Sequence, residues 1–320
     1  MINVLITYPF QAEHMVHFPP MEGLNLYFSR EPTAEEAAAA EIIVGWPPME
    51  VIVEAKHLKF LQAVYAGMDG LLADSRFPKD IILCNASGAF GTAISEYVLT
   101  MVLMLYKHMG LYRDNQNKRL WQDEGRQESP VGKTLLILGA GDIGTATAKL
   151  FRPFGCHIIG MRRVVRTCPP EFDEIITQDG LDAALSRADI VVGTLPNTPS
   201  TANLLSRERL ALLKPTAVVI NVGRGSLIDC DALAEALRSG RLLGAGLDVT
   251  DPEPLPAEHP LWSCRNVLIT PHITGGSFGH LKATEDYIYD LCRDNLARYR
   301  DGKPLRNVVD RRTGYRQTQR

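Results

Sequence analysis

The sequence predicts an α/β protein built on parallel, doubly wound sheets, and three observations carry that expectation. Short apolar runs alternate with helix-like stretches along the chain. Many of the runs are continuously apolar, as strands covered on both faces are. One of them leads straight through G-x-G-x-x-G into a helix-like stretch.

The composition agrees. The 320 residues hold 45% hydrophobic and 22% charged side chains. Those proportions exclude a disordered or collagen-like chain. The length favours two domains of about 100–200 residues each. With 34 Lys plus Arg against 37 Asp plus Glu, the net charge is −3. A dedicated nucleic-acid binder would carry a basic excess, so no nucleic-acid partner is expected.

In chain order, Asn3–Ile6, Leu24–Phe28, Ile42–Val44, Phe60–Val64 and Ile81–Cys84 read as strands, with helices at Ala34–Ala40 and Val51–Ala55. The start, Met1-Ile2-Asn3-Val4-Leu5-Ile6-Thr7, has no basic region and reads as a first strand rather than a signal peptide. A long helix is expected from Ser95 to His108, with Ser95 as its cap and Glu96 at its positive end. Its uncharged stretch, Tyr97–Tyr106, is too short for a membrane span, which needs about 20 residues. No membrane partner is therefore expected.

Between Tyr112 and Pro130 the chain turns polar and reads as a connection. A second series of buried strands follows at Thr134–Leu138, His157–Met161, Ile190–Leu195, Ala217–Val222, Leu243–Asp248 and Val267–Thr270. Helices at Ile143–Phe151, Leu181–Ser186, Arg207–Leu212 and Asp231–Ser239 separate most of them. A last helix is expected from Ser277 to Arg300. Arg311, Arg312, Arg316 and Arg320 read as a solvated basic end. The expected division is one domain at 101–275 and a smaller one made of 1–100 with 276–320, the ligand lying in the cleft between them.

Cys84, Cys156, Cys168, Cys230, Cys264 and Cys292 form no C-x-x-C pair. Reduced, mostly buried thiols in a cytoplasmic protein are expected, with no metal site.

The strongest local signal is Leu135-Leu136-Ile137-Leu138-Gly139-Ala140-Gly141-Asp142-Ile143-Gly144. Gly139 permits a tight turn, Gly141 lets backbone approach a pyrophosphate, and Gly144 lets the helix pack on the strand. With the strand before and the helix after, this is the Rossmann pattern for a dinucleotide, whose phosphates meet N–H groups at the helix start. The Asp142 carboxylate must point away, leaving its backbone to serve. At the end of the next strand an NAD site usually places an acid for the ribose hydroxyl. Here the chain reads Gly160-Met161-Arg162-Arg163, then Arg166. Guanidinium groups hold a 2′-phosphate that a carboxylate would repel. NADP(H) is therefore the expected cofactor, with NAD(H) tolerated.

Further motifs stand in order: Asn221-Val222-Gly223-Arg224-Gly225-Ser226-Leu227-Ile228-Asp229, Gly246-Leu247-Asp248-Val249-Thr250-Asp251-Pro252-Glu253-Pro254, and Thr270-Pro271-His272-Ile273-Thr274-Gly275-Gly276. With the glycine turn and the stretch Asn85 to Tyr97, they make the chain resemble the D-isomer-specific 2-hydroxyacid dehydrogenases over nearly its whole length. The resemblance implies a Rossmann domain and a smaller flavodoxin-like substrate domain. It implies hydride transfer between a nicotinamide cofactor and a 2-keto or D-2-hydroxy acid, with glyoxylate, hydroxypyruvate or a larger apolar 2-keto acid as substrate. It also implies a homodimer.

The residues make the same chemical sense. Reducing a 2-keto acid needs a cation for the carboxylate and a proton donor for the developing alkoxide. Arg224, Glu253 and His272 each follow a strand, at the edge where open sheets bind ligands. The Arg224 fork fits a carboxylate. His272 can give and take a proton near neutral pH, and Glu253 beside it would fix its tautomer. The resemblance assigns the three these roles.

By the same resemblance, Thr194, Leu195 and Pro196 line the adenosine side, and Val222 and Gly223 pass under the nicotinamide ribose. Asp248 either hydrogen-bonds near the nicotinamide amide or caps its strand. Gly275 meets the carboxamide through its backbone. Tyr65, Ala66, Gly67 and Met68 resemble the loop whose N–H groups hold the substrate carboxylate. The family often has a small hydroxyl residue where Tyr65 stands, and Tyr65 would close the site around a small acid or stack on a larger one. Trp46 is either another wall or part of a rigid surface turn. An alternative of a different class is an NAD(P)H-sensing interaction protein of the same fold.

Overall fold

The computed structural model describes residues 1–8, 10, 14, 18, 20–165, 167–275, 281–311 and 314–316. Arg166, Gly276, Ser277, Arg312 and Arg320, named above, lie outside them. The chain forms two compact units, Met1–Phe90 with Gly276–Arg320, and Gly91–Gly275.

The first unit begins with β1 (Ile2–Ile6) and β2 (Leu24–Phe28). Helix α1 (Ala34–Ala39) opens on a capping box in which Thr33 and Glu36 each accept the other's backbone N–H. β3 (Ile42–Gly45), α2 (Met49–Glu54), β4 (Phe60–Ala63), α3 (Asp69–Ala73) and β5 (Ile82–Cys84) follow. The five strands pair in parallel in the order β2-β1-β3-β4-β5. That is the flavodoxin-like order. Ile42, Ile43, Val44 and Phe60 are fully buried, which is why these runs carry no polar alternation.

In the second unit, α4 (Gly91–Tyr106) and α5 (Met109–Asn117) precede β6 (Thr134–Leu138). Then come α6 (Asp142–Phe151), β7 (His157–Met161), β8 (Glu174–Ile176), α7 (Leu181–Arg187), β9 (Ile190–Gly193), α8 (Arg207–Leu210), β10 (Val218–Asn221), α9 (Cys230–Arg238), β11 (Gly244–Leu247) and β12 (Val267–Ile269). The parallel order is β12-β11-β10-β9-β6-β7-β8. From β6 the chain winds outward through β7 and β8, then returns to β9 on the other side. The order therefore reverses between β6 and β9, as in a Rossmann sheet, and this is where such sheets bind ligands.

The whole of α4 belongs to this second unit, so the division falls at 90/91 rather than at 100. The reason is packing: a Cβ at Gly244 would lie 2.8 Å from Leu105 Cδ2, and one at Gly246 would lie 2.8 Å from Met101 Sδ. The glycines of β11 make room for α4. Met101, Val102, Leu105 and Tyr106 of α4 are buried. Each such apolar side chain contributes about 1.5–3 kcal/mol.

The last helix, α10 (Lys282–Arg300), and the hairpin β13 (Val309–Asp310) and β14 (Tyr315–Arg316) belong to the first unit. Asn295 Nδ2 of α10 donates to Gln62 Oε1 at 2.6 Å, and Tyr299 stacks on Phe60.

Three further expectations are corrected. The stretch Tyr112–Asn117, read as the start of a connection, belongs to helix α5. Ser95 is not a helix cap: α4 starts at Gly91, and Ser95 Oγ inside it donates to Thr92 O at 3.0 Å. Arg311 is not part of a solvated end. Its Nη2 donates to Ile81 O at 2.6 Å, its guanidinium lies over the Phe77 ring, and burial lowers its pKa from the ordinary value. All six cysteines are unpaired thiols, and Cys168 is the exposed one. Among the described residues no helix is long and apolar enough to cross a membrane.

Candidate active site

The second unit's sheet is all parallel, so every strand in it ends at the same edge. The glycine turn occupies the end of β6. Gly139 has φ +111, a conformation that strains any other residue. A Cβ on Gly144 would sit 2.2 Å from Gly139 O, so only glycine lets α6 approach this closely. Gly141 caps α6, and a Cβ built on it meets no atom within 4 Å. The turn thus leaves open space over a helix start whose first N–H groups, at Asp142, Ile143 and Gly144, lack intrahelical acceptors. That arrangement fits a dinucleotide pyrophosphate.

Arg162 leaves the end of β7. Its Nε donates to Ala140 O at 2.7 Å, which ties its guanidinium to the glycine turn. Arg163 beside it is exposed. At the end of β9, Thr194 Oγ1 donates to Gly139 O at 2.8 Å and Leu138 O at 3.2 Å. Its hydroxyl therefore braces the turn. Leu195 and Pro196 follow, half-buried.

At the end of β10, buried Asn221 organises the next loop. Its Nδ2 donates to Arg224 O at 2.9 Å and its Oδ1 accepts Gly223 N–H at 3.2 Å. Val222 is buried. A Cβ on Gly223 would lie 2.7 Å from Leu195 O, and one on Gly225 1.8 Å from Thr250 O. Arg224 is thus set between two glycines pressed against neighbouring strand ends. It is extended and half-buried, with Nη1 donating to Gly223 O at 2.9 Å.

His272 follows β12 and Glu253 follows β11. His272 Nδ1 lies 2.7 Å from Glu253 Oε1, and both side chains are about half-exposed. An ionised carboxylate only accepts, so Nδ1 carries a proton and Nε2, across the ring, faces away from Glu253. His272 has φ 54, a left-handed conformation for a non-glycine residue.

Asp248, at the end of β11, is 2% exposed. Its Oδ1 accepts Thr270 Oγ1 at 2.6 Å and Ile273 N at 2.9 Å. Its Oδ2 accepts Thr274 Oγ1 at 2.7 Å and Thr274 N at 3.1 Å. Both oxygens are engaged by the turn that carries His272, in which Gly275 also lies. Sequence reasoning missed Asn221, Thr270 and Thr274. The available signal was a polar residue closing each apolar strand, with threonines flanking the histidine.

In the first unit, Tyr65, Ala66 and Gly67 are half-buried in the turn after β4, and Met68 is fully buried in that unit's core. Trp46 meets Tyr65 edge to face at 5.0 Å, and burial raises the Tyr65 hydroxyl above its ordinary pKa.

The chain matches the family model described as D-isomer specific 2-hydroxyacid dehydrogenase, NAD binding domain, over residues 99–274. It is 31% identical over 291 residues to glyoxylate/hydroxypyruvate reductase A of Yersinia enterocolitica, covering 85% of this chain and 88% of that one. A D-isomer specific 2-hydroxyacid dehydrogenase family protein from Aeromonas salmonicida superposes with a TM-score of 0.86 at 34% identity, over 97% of this chain and 99% of that one. NADPH-dependent glyoxylate/hydroxypyruvate reductase from Sinorhizobium meliloti, solved with NADP and sulfate, gives 0.81 at 29% identity, over 98% and 100%.

Proposed function

The chain belongs to the D-isomer specific 2-hydroxyacid dehydrogenase family and is an NAD(P)-dependent oxidoreductase acting on CH–OH donors, and from that premise we propose that it reduces a 2-keto acid to the D-2-hydroxy acid with NADPH. The observation that carries the reading is the 2.7 Å His272–Glu253 pair on the same sheet edge as Arg224.

When bound, the reduced nicotinamide supplies the hydride. Arg224 pairs with the substrate carboxylate through its planar fork. His272 Nε2 donates a proton to the carbonyl oxygen as negative charge develops there. Glu253 fixes the imidazole tautomer and stabilises its cation. In the reverse direction His272 takes the proton back.

The N–H groups of Asp142, Ile143 and Gly144, with Gly139 and Gly141, would hold the pyrophosphate. Arg162 and Arg163 would hold the 2′-phosphate, and NAD(H) would be accepted less well. Thr194, Leu195, Pro196, Val222, Gly223, Asp248 and Gly275 complete the proposed dinucleotide contacts. The unit 91–275 is proposed as the dinucleotide domain, and 1–90 with 276–320 as the substrate domain. There Ala66 and Gly67, in the turn that Tyr65 opens, would receive the carboxylate through backbone N–H groups, while Met68, expected to join them, is fully buried and anchors the turn in the core. Glyoxylate and hydroxypyruvate, the substrates named for the Yersinia and Sinorhizobium relatives, head the expected substrates.

We place the enzyme in the cytoplasm as a homodimer. Fully exposed Trp121 with half-exposed Leu120, after α5, supports an apolar contact between copies. The test of the function is oxidation of NADPH and of NADH, followed by nicotinamide absorbance, against a panel of 2-keto acids. Rapid NADPH oxidation with one or a few acids supports the proposal. Oxidation of NADH alone overturns the cofactor preference. No oxidation with any acid overturns the keto-acid reading and moves weight to an NAD(P)H-sensing interaction protein.

A further inference from the structure

The turn after β4 is fixed from a distant part of the sequence. The carbonyl of Tyr65 accepts Ala86 N–H at 2.8 Å. The carbonyl of Ala66 accepts Asn85 Nδ2 at 2.5 Å. Cis peptides among the described residues occur at Asp251-Pro252 and Glu253-Pro254, so the peptides following Tyr65 and Ala66 are trans. In a planar trans peptide the N–H points opposite to the carbonyl. Anchoring those two carbonyls on the Asn85–Ala86 segment therefore aims the N–H groups of Ala66 and Gly67 away from it.

Asn85, which anchors one of them, is completely buried. Its Oδ1 accepts Ser87 N–H at 3.2 Å, and this sets the amide orientation so that Nδ2 faces Ala66. Its backbone is held by Asn307. Asn85 N–H donates to Asn307 O at 3.1 Å, and Asn307 Nδ2 donates back to Asn85 O at 3.2 Å and to Ser87 O at 2.7 Å. Asn307 has φ 55, a left-handed conformation that asparagine tolerates better than most residues. The adjacent Val308 bridges to Cys84, fixing this segment against the end of β5.

We propose that Asn307 is a positioning residue for substrate. It holds Asn85, Asn85 holds the Ala66 carbonyl, and the Ala66 and Gly67 N–H groups are thereby aimed at the carboxylate of the 2-keto acid. The inference rests on the reading above that this turn receives that carboxylate. It adds a residue far along the chain that acts through Asn85.

The test uses the full-length enzyme and two variants. Asn307→Gly keeps the left-handed backbone and removes both donors. Asn307→Asp keeps the shape and places one carboxylate oxygen against the two carbonyl oxygens. The KM for the preferred keto acid should rise about tenfold in Asn307→Gly, and further in Asn307→Asp. The kcat at saturation and the NADPH KM should stay within about twofold of wild type, whereas a general loosening of the fold would move all three. Oxamate, a non-reducible keto-acid mimic, is titrated into each enzyme with NADPH present, reading the amide NMR signals of Ala66 and Gly67.

Wild-type signals that shift, with oxamate affinity weakened in both variants, support the proposal. Wild-type signals that shift, with oxamate affinity and KM unchanged in a folded variant, overturn it and leave the substrate turn standing. Wild-type oxamate binding with no shift at Ala66 or Gly67 overturns the substrate turn itself, and the proposal with it. Should Asn307→Gly fail to fold, the near-isosteric Asn307→Asp alone decides.

Discussion

The carbonyl oxygen of Asp248 accepts the backbone N–H of His272 at 2.8 Å, while the Asp248 carboxylate gathers Thr270, Ile273 and Thr274. One buried acid at the end of β11 therefore grips the turn at the end of β12 on both sides of the histidine. A left-handed non-glycine residue costs about 1–2 kcal/mol, and these bonds offset that cost. Asp248→Asn would turn an NH2 group toward donors. It should destabilise the fold by about 1–3 kcal/mol, lower Tm by several degrees and reduce kcat. Thr270→Val, which removes one donor, should give a smaller loss of the same kind. Calorimetry with steady-state kinetics checks both; an unchanged Tm in Asp248→Asn would leave the clamp without energetic weight.

His272→Ala should slow keto-acid reduction by about 10²–10⁴-fold, the usual worth of a general acid. NADPH affinity, measured by fluorescence titration, should stay close to wild type. Glu253→Gln keeps an oxygen facing Nδ1 but loses the charge, so its kcat should fall between the two. A fully active His272→Ala enzyme would remove the acid/base role.

Arg224→Ala should lower kcat/KM for the keto acid by more than about tenfold, because a charge-assisted pair is lost. Arg224→Lys restores the charge without the fork and should recover only part of that loss. Equal kcat/KM in wild type and Arg224→Ala would take Arg224 out of the site.

Arg162→Asp should move the cofactor preference toward NADH, since a carboxylate repels the 2′-phosphate and accepts the ribose hydroxyls. Arg162 is already held to the glycine turn through Nε, so the replacement also frees the Ala140 carbonyl. The ratio of kcat/KM for NADPH to that for NADH is the readout, and an unchanged ratio would refute the 2′-phosphate contact.

Gly144→Ala places a methyl 2.2 Å from Gly139 O and 3.0 Å from Ile137 Cγ2. Helix α6 must move off β6 to make room. Cofactor binding by calorimetric titration should be lost, and Tm should fall. Gly141→Ala meets open space in the protein, so it should spare Tm while weakening the cofactor. Equal Tm losses in the two variants would contradict this division between packing and binding.

Most strands were legible because they form short, mainly apolar runs, and the central ones, such as Ile42–Gly45 and Ile190–Gly193, are buried on both faces. Leu24–Phe28, Thr134–Leu138 and His157–Met161 match the strands residue for residue. The short β8, Glu174–Ile176, was not legible, because an edge strand of three half-buried residues leaves no such run. Helix α3, Asp69–Ala73, is too short to show a period. The Ser95 cap was misread because a serine before an apolar run looks the same whether it begins a helix or sits inside its first turns.

The sequence by itself determined most of the strands, the glycine turn and the order of the motifs, because each depends on residues adjacent along the chain. It also brought Arg224, Glu253 and His272 to one sheet edge, since each follows a strand of one parallel sheet. Tertiary structure alone decided the rest. It settled that Asp248 grips the His272 turn, that Asn221 shapes the Arg224 loop, that Arg311 lies over Phe77 and that Asn307 reaches Asn85. These contacts join residues brought together by strand register and burial. A hydrogen bond depends on distances of a few tenths of an ångström, which no local pattern of residue types encodes.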